Sequence, residues 1–70
     1  MYAEVFEYLK LHGGSVSYTA LLKYLRQWYG QDVEEYLDVL LTKYPGTFEY
    51  LPMRWSKEEK RTVPREVRLA

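Results

Sequence analysis

His12-Gly13-Gly14-Ser15-Val16-Ser17-Tyr18-Thr19-Ala20-Leu21-Leu22 sets down, within eleven residues, a helix stop, an extended link and a helix start. Adjacent glycines favour the left-handed backbone that closes a helix C-terminus, so a helix arriving from the N-terminal side ends at His12. Ser15 and Val16 form a short extended link. The Ser17 hydroxyl is then placed to accept hydrogen bonds from the free amides of a following helix. The reciprocal-capping position holds Ala20, so that cap has no second half.

Upstream of this stretch, residues 2–11 place Tyr2, Val5, Phe6 and Leu9 at helical spacing, with Glu4, Glu7 and Lys10 between them. This is an amphipathic helix. Downstream, a second helix runs from Tyr18 to about Tyr29, with Leu21, Leu22, Leu25 and Trp28 or Tyr29 as its apolar face. Gly30 breaks it. Asp32, with Glu35 three residues later, predicts a reciprocally capped third helix running to about Tyr44. Its apolar positions are Val33, Tyr36, Leu37, Leu40, Leu41 and Tyr44, and Pro45-Gly46 ends it.

Residues 47–51 and 63–69 have strand composition and should pair. Between them, residues 52–62 predict an exposed hairpin loop centred on Ser56-Lys57-Glu58-Glu59-Lys60-Arg61. The expected fold class is therefore α+β, a winged helix of three helices with a two-stranded C-terminal β-hairpin wing. Residues 1–70 form one domain, read as a module of a larger protein. Phe6, Leu9, Leu21, Leu25, Leu37, Leu40, Leu41 and Phe48 are expected in the core.

The run from His12 to Leu22, with the later turn Tyr44-Pro45-Gly46 and the strand Phe48 to Leu51, resembles a set of small winged-helix domains. These are the N-terminal domain of the CCCH-type zinc-finger antiviral protein and its relatives, the N-terminal domain of Sosondowah ankyrin-repeat proteins and, more distantly, LOTUS domains. The resemblance covers nearly the whole chain. It implies an accessory module within a longer RNA-associated or scaffolding protein.

Composition narrows the chemistry. With 70 residues, 47% hydrophobic and 17% aromatic, the chain supplies one modest core and excludes a large enzyme. The absence of cysteine excludes disulfides and thiol-ligated zinc within this segment, and an intracellular location, cytoplasmic or nuclear, is expected. No apolar run exceeds three residues, so no membrane span is expected. His12, the single histidine, has no nucleophile or second metal ligand at suitable spacing, and Gly13-Gly14 lacks the further glycine and lysine of a phosphate loop. No enzyme activity, cofactor or metal is expected.

A formal net charge of zero conceals an uneven split. Residues 1–53 hold four basic groups against seven acidic ones, and residues 54–70 hold six against three. Two site hypotheses follow. In the first, Arg54, Lys57, Lys60, Arg61, Arg65 and Arg68 surround Trp55, so cations attract a nucleic-acid backbone while the indole stacks on a base; single-stranded RNA is the implied partner. In the second, Tyr24 with the acids Asp32, Glu34, Glu35 and Asp38 of the third helix forms a protein-interaction face. Specific duplex DNA is not expected, because a groove-reading helix faces two phosphate backbones and this one is acidic. The isolated chain is expected to be a monomer.

Overall fold

A computed structural model describes residues 1–57 and 60–70, and for positions 51 and 52 the backbone. Glu58 and Glu59, which the sequence places at the hairpin tip, lie outside the described residues. The architecture is α+β. Helix α1 (Tyr2–Leu11) leads to strand β1 (Ser15–Ser17), α2 (Tyr18–Tyr29), a 3-10 turn (Gly30–Asp32), α3 (Val33–Lys43), β2 (Phe48–Ser56) and β3 (Arg61–Leu69).

The first helix ends as the glycine pair predicts. Gly13 takes φ 79°, its amide bonds the Lys10 carbonyl at 3.4 Å, and the Gly14 amide bonds the Leu9 carbonyl at 2.6 Å. Those two reverse bonds satisfy carbonyls that the helix itself leaves open. Ser17 caps α2, its Oγ accepting from the Ala20 amide at 3.1 Å. Asp32, in contrast, makes no side-chain cap. The 3-10 turn runs straight into α3 and leaves Asp32 at φ −83°, ψ 3°, which is not the extended conformation a capping side chain needs.

Two expectations about the sheet are corrected. The link expected to be merely extended is strand β1, which pairs antiparallel with β3 through Val16 and Val67, so the sheet has three strands in the order β1-β3-β2. Hydrogen bonding to β3 satisfies backbone groups that a free link would leave to solvent. The hairpin loop is also shorter than residues 52–62. Pairing continues through Met53 with Pro64, Arg54 with Val63, Trp55 with Thr62 and Ser56 with Arg61. Trp55, Thr62 and Val63, residue types that favour strands, carry the ladder outward, and the turn closes through the Lys60 amide bonding the Ser56 carbonyl at 2.8 Å, with Lys60 at φ 57°.

The helices bury Val5 and Leu9 from α1, Tyr18, Leu21, Leu22 and Leu25 from α2, and Val33, Leu37, Leu40 and Leu41 from α3, against Phe48, Val63 and Val67 of the sheet. Phe6, expected inside, is half-buried at the edge of this cluster, its ring parallel to that of Tyr2 at 6.2 Å. Spacing alone puts Tyr36 and Tyr44 on the core stripe of α3, yet both are exposed. The stripe is broader than the surface that α1, α2 and the sheet can cover. Trp28 is likewise exposed, and Tyr29 is the half-buried member of that pair, donating its hydroxyl to Glu4 of α1.

Candidate functional site

The basic residues of the C-terminal part separate into two groups. Arg61 opens β3, and the register puts it on the side of the sheet that carries Val63 and Val67, facing the helices. There Arg61 Nε donates to Glu34 Oε2 at 3.1 Å, Nη1 to Asp38 Oδ2 at 3.3 Å, and Nη2 to the Tyr18 hydroxyl at 3.0 Å. Tyr18 in turn donates to Asp38 Oδ1 at 2.8 Å, and Arg26 Nη2 donates to Glu34 Oε1 at 3.0 Å. A planar guanidinium with donors on three nitrogens suits three separate acceptors in a way a lysine ammonium does not. Arg68, at the other end of β3, is paired with Glu49 of β2 at 2.8 Å. Two of the six expected backbone-gripping cations are therefore engaged by carboxylates of the chain, Arg61 in a half-buried network and Arg68 in an exposed pair.

The same network engages two acids of the alternative site. Glu34 and Asp38 lie against Arg61, while Asp32 and Glu35 are exposed. Tyr24 is half-buried, its ring stacked on Tyr8 at 4.1 Å and edge-on to Trp28 at 4.7 Å. Sequence reasoning missed Tyr18 and Arg26 as members of the network, because nothing in local spacing reports that β3 returns beside α2.

Among the described residues, the other hairpin groups keep their side chains in solvent. Arg54, Lys57, Lys60 and Arg65 are exposed. Trp55 is 62% exposed, and Met53, two positions earlier and thus on the same side of β2, is 55% exposed. The Met-x-Trp spacing marks Met53 as sharing a side with Trp55 only once residues 52–56 are known to be strand, and in sequence they read as a loop. The outer side of the hairpin thus presents a thioether and an indole in a row, with Lys57 and Lys60 exposed at the turn beyond them, while Arg54 and Arg65 are exposed on the opposite side of the sheet, that of Val63.

Tyr18 is the most deeply buried polar side chain of the network, at 1% exposure. Burial, followed by its hydrogen bond to Asp38, pushes the Tyr18 phenol well above its ordinary value of 10.0. The folded state therefore favours the neutral phenol. Its contribution is complete below the unfolded value and is lost as pH rises from there toward the folded one. Urea midpoints measured between about pH 9 and 11 should fall with rising pH, and Tyr18→Phe should flatten that decline. An unchanged slope in the variant would remove Tyr18 as its cause.

No group of three or more candidate metal ligands occurs among the described residues, and no helix among them is long and apolar enough to cross a membrane. The chain matches no family model, no curated protein and no solved structure.

Proposed function

We propose that this chain is a non-enzymatic winged-helix module whose hairpin, the wing, makes an auxiliary contact with single-stranded RNA. The observation that carries the reading is the exposure of Trp55 beside Met53, with Arg54, Lys57, Lys60 and Arg65 also exposed. The order of helix, short strand, two helices and terminal hairpin supports the winged-helix frame. The contact runs through Arg54, Trp55, Lys57, Lys60 and Arg65, while Arg61 and Arg68 are engaged by carboxylates of the chain itself. Cations attract the backbone without regard to sequence, and a single indole accepts any base. One stacking platform suits a contact that assists a larger assembly.

Trp55→Ala should weaken binding of a fluorescently labelled single strand about tenfold, in keeping with roughly 1–3 kcal/mol per stacked base. Lys57 and Lys60 changed together to Glu should also weaken it and should reduce the dependence of affinity on salt. A duplex of defined sequence serves as the control and should bind no better than background. Anisotropy that is insensitive to Trp55, or absent even at low salt, refutes the reading.

A second reading is favoured by a different observation, the exposed Tyr36 and Val39 of α3, which are apolar groups suited to contact with protein. Binding there would be insensitive to salt and to the wing substitutions.

A further inference from the structure

One side of α3 is used neither by the core nor by the Arg61 network. On it, Tyr36 is 53% and Val39 63% exposed. Glu35, Val39 and Lys43 follow one another at four-residue intervals, which makes them one ridge along the helix surface, with the acid in the first turn and the lysine in the last. Glu35 and Lys43 are exposed. Open hollows flank this ridge on both sides. One, of ≈ 550 Å³, is lined by Tyr2, Tyr36, Leu40 and Tyr44; the other, of ≈ 420 Å³, is lined by Asp38 and Thr42, and Val39 and Lys43 border both.

We propose that this ridge joins two copies of the chain, α3 against α3 in opposite directions about a two-fold axis at Val39. A two-fold contact uses the same patch twice, so the patch must complement its own reversal. The order acid, apolar, base does so: reversal sets Glu35 of each copy against Lys43 of the other and Val39 against Val39. A parallel arrangement would set Glu35 against Glu35. Ridges built on four-residue steps pack side by side when helices cross at about 50°, each ridge entering the groove beside its counterpart. The hollows flanking Val39 supply those grooves, and Tyr36 supplies an aromatic group to fill one.

The sequence puts Tyr36 in the core stripe, and the isolated chain is expected to be a monomer; the exposure of Tyr36 and Val39 changes that expectation to a weak dimer. One helix face per copy is a small contact, so the dissociation constant should be on the order of 100 µM. The inference needs no nucleic acid and stands apart from the wing reading.

Sedimentation equilibrium of the 70-residue chain, from micromolar to millimolar concentration, is the test. The mass should rise from the 8.5 kDa of one chain toward twice that value. Val39→Glu should hold it at one chain throughout, with circular dichroism unchanged because the side chain is exposed. Glu35→Lys and Lys43→Glu should each raise the dissociation constant about tenfold, since like charges then face each other. Mixing these two variants should restore association, because both ion pairs re-form in the heterodimer. A wild-type mass that stays at one chain, a Val39→Glu variant that associates as wild type does, or a mixture no better than its components overturns the proposal.

Discussion

Replacing Leu37 by alanine is expected to cost roughly 2–5 kcal/mol, the range for deleting a fully buried leucine side chain from a core that cannot close over the gap. Leu37 is 0% exposed and belongs to the single cluster in which α1, α2, α3 and the sheet meet. Its neighbours on the helix, Val33, Leu40 and Leu41, are held in the same cluster and so cannot move inward independently. A chain of this size has about 5–10 kcal/mol to lose, and the substitution removes a large share of it. Urea denaturation followed by circular dichroism measures the change. Leu11→Ala is the matched control: Leu11 is 81% exposed at the end of α1, and its loss should move the midpoint little. Equal effects at the two positions would show that α3 does not pack as described.

Arg61→Ala is expected to be the most damaging change among the charged residues, at about 1–3 kcal/mol. Removing the guanidinium leaves Glu34 and Asp38 without the cation that both share and takes a donor from the buried Tyr18 hydroxyl. Because Arg61 is 35% exposed, water screens part of this loss, and the figure lies below that for a fully buried pair. Arg61→Lys should recover only part of it, since a point charge cannot serve acceptors on α2 and α3 together. A double-mutant cycle with Asp38→Asn reads the coupling directly: the second change should cost less in the Arg61→Ala background than alone. Purely additive effects would mean that the network contributes no stability. Arg61→Ala should also weaken the proposed RNA contact without altering its salt dependence, since the residue is held by Glu34 and Asp38 and orients the hairpin rather than touching phosphate.

Some local signals in the sequence had direct structural counterparts. The Gly13-Gly14 stop closes α1 through its own backbone bonds, and the Ser17 hydroxyl caps α2. Both depend on atoms within six residues of each other. Asp32 carried a comparable signal and failed, because the 3-10 turn from Gly30 holds its backbone outside the extended conformation that a capping side chain needs. Of the candidate site, the exposed cations of the hairpin turn were legible from composition, since a charged stretch lacking apolar neighbours has no core to enter, whereas the exposure of Trp55 and its alignment with Met53 follow from the strand register. Arg61 and Arg68 carry the same charge in the same stretch, and nothing local distinguished them from Lys57 or Lys60.

The sequence alone determined roughly where the helical segments lie, that strand pairing follows them, and that the positive charge collects in the last quarter of the chain. Periodicity, turn residues and charge act over a few positions and can be read in order. Tertiary structure decided which of those charges are available and which apolar residues are covered. Tyr18 and Arg61 are 43 positions apart and meet only because β3 returns between β1 and β2. Tyr36 and Leu37 are neighbours with equal claims to the α3 stripe, yet one is exposed and the other buried. Helical spacing gives the direction of each side chain, and only the packed arrangement determines which of those directions another element fills.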